Sequence, residues 1–146
     1  ALMGENYQAA PRAFAYAKRR FADKIVQYGY VRSKDAYVNW LKKGYLAVST
    51  AIQENFGIAM VEAMRFGCLP LLPHRLAYPE VLPKEFHADF LYQDDADLVQ
   101  KLATLLRDPQ QFVCHRPVLA GMMARHAWSD VAVCYDRELA LLAKAR

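Results

Sequence analysis

Two kinds of apolar pattern alternate along the chain. Short β-rich runs occur at "ALM" (1–3), "KIVQYGYV" (24–31), "YLAVST" (45–50), "CLPLLP" (68–73) and "ADFLYQ" (88–93). Between them lie longer segments whose apolar residues recur every three or four positions, the period of a helix with one buried face. These are "PRAFAYAKRRFAD" (11–23), "SKDAYVNWLKK" (33–43), "GIAMVEAMRF" (57–66) and "DDADLVQKLATLLRD" (94–108). Two or three further helices follow, the last being "SDVAVCYDRELALLAKA" (129–145).

Local signals agree with these boundaries. Pro11 suits a first helical turn. Ser33 and Ser129 are expected N-caps. Gly44 and Gly67 stop the helices before them, Asp94 opens its helix as an N-cap with acids following, and Pro109 closes it. "GENY" (4–7) reads as a turn and "HRLAYPEVLPKEF" (74–86) as irregular. Most strands are continuously apolar rather than alternating, as in a parallel sheet covered by helices on both faces. The expected fold is therefore α/β and Rossmann-like: one domain over residues 1–146, without internal repeat or linker. Such sheets bind ligands beyond the carboxyl ends of their strands. That puts the loops after Met3, Val31, Thr50, Pro73 and Gln93 on one rim.

Composition narrows the class. The chain has 146 residues, 55% hydrophobic and 23% charged, enough for one sizeable core. No apolar run reaches the ~18 residues of a membrane span, and the start "ALMGENY" has no signal-peptide pattern. Cys68, Cys114 and Cys134 are odd in number and far apart. They read as free, largely buried thiols in a reducing, cytoplasmic compartment. The +4 net charge is uneven: residues 1–43 carry nine Lys/Arg against three Asp/Glu, with the densest cluster at "AKRRF" (17–21). A basic half favours phosphate-bearing partners, yet short basic runs are ordinary on solvated helices, and no RNA-binding signature accompanies this one.

The segment "STAIQENFGIAMVEAMRFGCLPLLP" (49–73) holds two acids eight positions apart, Glu54 and Glu62. Glu54 falls in the rim loop ahead of a helix, and the free N–H groups of "NFGI" point to the same rim, a cradle for an anion or for hydroxyls. Gly57 lets a ligand approach the backbone. Glu62 lies about one and a half turns into the helix, where a carboxylate can accept from vicinal hydroxyls. The plain alternative is a dipole partner and a solvated helix residue.

The same residues resemble the E-x7-E signature of retaining two-lobed (GT-B) glycosyltransferases. Glu54, Phe56, Gly57, Glu62, Ala63, Met64, Gly67 and Pro70 all match. "YPEVL" (78–82) and "HAWSDVAVCYDREL" (126–139) resemble two further segments of that family, in the same order. The resemblance implies the C-terminal, donor-binding lobe of an NDP-sugar hexosyltransferase. Glu54 would act at the anomeric carbon. The amides of Asn55, Phe56, Gly57 and Ile58 would hold sugar and phosphate, Glu62 the ribose, and Val31 and Ser33 the base. No metal or other cofactor is implied. "HRLAYPEVLP" (74–83) is similar to the branch that mannosylates queuosine in tRNA, which implies GDP-mannose as donor and tRNA as acceptor. The family's first strand of this lobe and its N-terminal acceptor lobe are not among the 146 residues, so the lobe alone is expected to be inactive.

One departure stands out: the paired glycines that precede the P-E step in the family are Leu76 and Ala77 here. The competing expectation is a non-catalytic nucleotide-binding or regulatory module. His74 sits near the rim without a partner nucleophile, and His87, His115 and His126 lack metal-ligand spacing. Trp40, Trp128 and Met122–Met123 read as core.

Overall fold

The computed structural model describes residues 1–3 and 12–144; the expected turn at 4–7 and Pro11 lie outside them. The chain divides into two compact units, residues 1–43 and 44–146. Each is α/β, with parallel strands and flanking helices, and the architecture is that of a Rossmann-like lobe.

In the first unit, β1 (Leu2–Met3) pairs in parallel with β2 (Tyr28–Gly29), Leu2 opposite Tyr28 and Met3 opposite Gly29. The crossover carries α1 (Arg12–Arg20), as a parallel pair requires. α2 (Lys34–Lys43) follows. Ser33 caps it: its Oγ accepts from the Ala36 N–H at 3.4 Å.

In the second unit, β3 (Leu46–Val48), β4 (Leu69–Pro73) and β5 (Leu91–Tyr92) form a parallel sheet in the order β3-β4-β5. All five β4 residues are buried, which is why its sequence is unbroken apolar. Pro70 is tolerated in this central strand because the ladder to β5 begins only at Leu72. The Leu69 N–H serves β3 through the Tyr45 carbonyl at 2.8 Å, so alternation turns position 70 to the other side, where no partner waits. α3 (Ile58–Arg65) packs on β4 and on α8 (His115–Met122), while α6 (Asp95–Arg107) packs on β4 and β5. The fully buried Met64, Leu69, Leu71, Leu72, Phe90, Leu105, Leu119 and Met123 make the core.

Several expectations change here. The irregular segment contains α4 (Tyr78–Val81), a 3-10 turn at Lys84–Phe86 and α5 (His87–Phe90), leaving β5 two residues long. Phe86 and Phe90 are both buried, with ring centroids 6.3 Å apart, so the local apolar period is four and not two. Pro109 does close α6, but it also opens α7 (Pro109–Phe112) at the first-turn position that proline favours. α9 (Trp128–Lys144) starts one residue before Ser129. The Ala127 carbonyl takes the first-turn N–H groups of Asp130 and Val131, while Ser129 Oγ turns to the Asp130 carboxylate at 3.3 Å and caps nothing. Finally, Cys114 and Cys134 are exposed and only Cys68 is buried. Trp128 is likewise exposed, at 76%, because no residue of α9 is buried.

Candidate functional site

The loop from β3 to α3 is fastened at its base. Ser49 is buried at the end of β3. Its Oγ lies 2.7 Å from the Tyr78 hydroxyl and accepts the Ala51 N–H at 3.2 Å. Its carbonyl accepts from the Tyr92 hydroxyl at 2.8 Å. Burial pushes both phenols above their ordinary pKa, and the Glu54 charge adds to the rise at Tyr78. Both rings therefore stay protonated, and the Tyr92 hydroxyl keeps its role as donor to the Ser49 carbonyl. Arg75, just after β4, reaches back over this loop and donates to the Ala51 carbonyl at 3.2 Å.

Above that base the backbone turns sharply into α3. Gly57 is the N-cap, with φ +85° and ψ 33°, a left-handed conformation that side chains resist. A Cβ there would also stand 2.9 Å from Cε1 of Tyr78. Both demands fall on one residue, and Tyr78 belongs to the "YPEVL" segment. The two motifs thus pack directly on each other. Gly57 offers no side-chain cap, and the Met60 N–H already bonds the Gly57 carbonyl at 2.9 Å, so the Ile58 and Ala59 N–H groups are the first-turn donors of α3 suited to face an anion.

Glu54 folds onto its own loop. Its Oε1 accepts the Asn55 N–H at 3.0 Å and the Phe56 N–H at 3.3 Å. These two bonds fix the carboxylate at the rim, and they also occupy two of the amides expected to cradle a ligand. Glu62, the fifth residue of α3, lines an open cleft of ≈ 170 Å³ with Ile58, Arg65, Phe66, Met123 and His126. The Phe56 ring meets the His126 ring edge-on, centroids 5.4 Å apart at 77°. His126 thus touches Phe56 and lines the same cleft as Glu62.

His126 was not expected at the site. Burial and the neighbouring Arg125 lower its pKa. Arg125 Nε donates to its Nε2 at 3.1 Å, which places the remaining ring proton on Nδ1. The signal available in the sequence was the "HAW" opening of the last helix. Tyr78, Ser49 and Arg75 were also missed as supports of the loop. Val31 and Ser33 lie in the 1–43 unit, between β2 and α2; Val31 is half-buried and Ser33 exposed.

The loop that follows β4 carries a second left-handed residue. Leu76 has φ 60°, unlike any other non-glycine among the described residues. It stands where the motif has glycine, so the backbone keeps the conformation that a glycine would supply and accepts the strain of a side chain.

The family model for glycosyl transferases group 1 matches residues 1–108, a stretch that contains both glutamates, Gly57 and the Tyr78 contact. The chain belongs to the glycosyl transferases group 1 family. A tRNA-queuosine alpha-mannosyltransferase of Drosophila melanogaster is 37% identical to it over 111 residues, which cover 76% of this chain and 28% of that protein. The chain therefore spans well under half the length of that curated relative. No solved structure matches it. Among the described residues, no helix is long and apolar enough to cross a membrane.

Proposed function

We propose that this chain is the donor-binding lobe of a retaining glycosyltransferase that moves mannose from GDP-mannose to queuosine in tRNA. One observation carries the reading: the Glu54–Gly57 loop is seated on Tyr78, so both signature segments build a single rim. In the reaction, an acceptor hydroxyl oxygen bonds to the anomeric carbon as the bond to the diphosphate breaks, and GDP leaves with the negative charge. The acceptor's proton goes to the departing phosphate or to water.

In this reading the Glu54 carboxylate faces the positive charge that develops at the anomeric carbon, and its two loop hydrogen bonds hold it ready. The first-turn N–H groups of α3 oppose the diphosphate. Glu62 accepts from the ribose hydroxyls at the cleft. Residues outside the 146 supply the acceptor lobe, and the reaction takes place in the cytoplasm.

The test is transfer by the full-length protein. GDP-mannose and queuosine-bearing tRNA should give a nucleoside heavier by one hexose, with retained anomeric configuration by NMR. Inversion, or transfer from another sugar nucleotide only, overturns the specific assignment. Nucleotide binding without transfer to any acceptor favours the non-catalytic module, a reading that the self-satisfied Glu54 carboxylate also accommodates.

A further inference from the structure

We infer that one face of α1 is a docking surface for the phosphate backbone and an unpaired base of the acceptor RNA. The inference rests on the tRNA-modifying reading above and extends it to a place on this chain. Arg12, Tyr16, Arg19 and Arg20 are separated by four, three and one residues, with Arg20 four beyond Tyr16. At 3.6 residues per turn this puts all four on one helix face. Arg12 and Arg19 stand about 10 Å apart along the axis at 1.5 Å per residue.

The structure adds what charge alone did not show. α1 has no acid in its first turn and no buried residue, and its last turn is Lys18–Arg19–Arg20. Among the described residues no carboxylate lies within ion-pair distance of Arg12, Arg19 or Arg20; the one ion pair near this helix is Lys24 with Asp23. Tyr16 is 58% exposed in the middle of the arginines, and Phe14 and Phe21 are 44% and 46% exposed. A merely solvated face has no use for an exposed tyrosine ring set among its arginines. Neighbouring aromatics already carry cations: Lys18 Nζ sits 4.7 Å from the centre of the Tyr28 ring and Arg20 5.4 Å from that of Phe21.

Guanidinium groups around an exposed ring are the chemistry of nucleic-acid binding, with phosphate contacts setting affinity and ring stacking holding a base. An anionic membrane is the rival surface. A helix lying on a membrane buries its aromatics opposite its cations. Here Tyr16 shares the arginine face, while Phe14 lies on the opposite side beside Lys18, whose Nζ meets the Tyr28 ring of β2, so that side is turned to the protein's own strand.

The experiment measures binding of deproteinised total tRNA to the full-length protein by fluorescence anisotropy across a salt series. The variants are Tyr16→Ala and the triple Arg12→Gln/Arg19→Gln/Arg20→Gln, all at exposed positions. At ~0.7 counterions per contact, the triple variant should lose about two units of the log–log salt slope and about a hundred-fold in affinity at 0.1 M salt. Tyr16→Ala should lose about ten-fold with the slope unchanged. GDP binding, measured in parallel, should be the same in all three proteins. Wild-type tRNA affinity and slope in both variants overturn the inference, as does loss confined to vesicles of phosphatidylserine. If wild type binds GDP but not tRNA, the docking surface falls and the donor site stands. If it binds tRNA but not GDP, the donor-site reading falls instead.

Discussion

Gly57→Ala tests the geometry of the rim most sharply. Alanine in a left-handed conformation at φ +85° costs about 1–2 kcal/mol. Its Cβ would stand 2.9 Å from Tyr78 Cε1. That ring is buried, and its hydroxyl is tied to Ser49 at 2.7 Å, so it yields only by shifting the core, at about 1–3 kcal/mol. Alanine restricts the unfolded chain and returns about 0.5 kcal/mol. The expected net loss is about 3 kcal/mol in urea unfolding with an unchanged m-value. In a Tyr78→Leu background the steric part disappears, and Gly57→Ala should then cost about 1 kcal/mol, the backbone part alone. A Gly57→Ala variant within about 0.5 kcal/mol of wild type would refute the tight seat on Tyr78. So would equal costs in the two backgrounds.

Three other outcomes follow from the same structure. Leu76→Gly removes a left-handed side chain at φ 60° but loosens the unfolded state, so stability should change by less than about 1 kcal/mol, whereas Leu76→Ile should cost about 1–2 kcal/mol more than Gly because a β-branched residue resists that conformation; urea unfolding of both variants checks this. Burial raises the folded-state pKa of Tyr78 and Tyr92 above the ordinary 10.0, so their contribution is complete below pH 10 and is lost as pH climbs through the raised values; the fall in unfolding free energy above pH 10 should be shallower in Tyr78→Phe, and an identical alkaline limb would contradict it. Cys114 and Cys134 are exposed, while Cys68 is buried with its thiol pKa raised by that burial, so brief alkylation of the folded protein followed by peptide mass mapping should mark the first two and spare Cys68.

Much of the architecture could be read from residue pattern, because the core itself follows simple periods. The β4 run is apolar without a break since both its faces are covered, and α6 shows its cap in the sequence: Asp94 Oδ1 accepts the Asp97 N–H at 2.9 Å. Where two rules competed, the pattern misled. "ADFLYQ" (88–93) holds apolar residues that fit a strand, but Phe90 pairs with Phe86 across one helical turn, and tertiary packing chose helix over its first half. Ser129 is an ordinary cap residue set two positions too late, with Ala127 at the cap and Trp128 already inside the helix.

The candidate site was legible in its signature residues and not in its supports. Glu54, Gly57 and Glu62 announce themselves by spacing. Their fixing depends on contacts from distant segments: Tyr78 and Tyr92 on Ser49, and His126 against Phe56, 70 positions later. Spacing along one stretch carries no information about such partners. Leu76 was visible as a departure from the glycine pattern, but only its φ shows that the backbone kept the glycine conformation.

The central claim, that this rim holds a nucleotide sugar, is tested most directly by calorimetric titration of the full-length protein with GDP, UDP, GDP-mannose and UDP-glucose, beside Glu62→Ala and Glu54→Ala. The account predicts selective binding of GDP and GDP-mannose, weakened at least ten-fold in Glu62→Ala through loss of charged hydrogen bonds worth about 1.5–3 kcal/mol. Glu54→Ala should keep its affinity and lose turnover. Binding of none of the four nucleotides, or wild-type affinity and turnover in both variants, would contradict it.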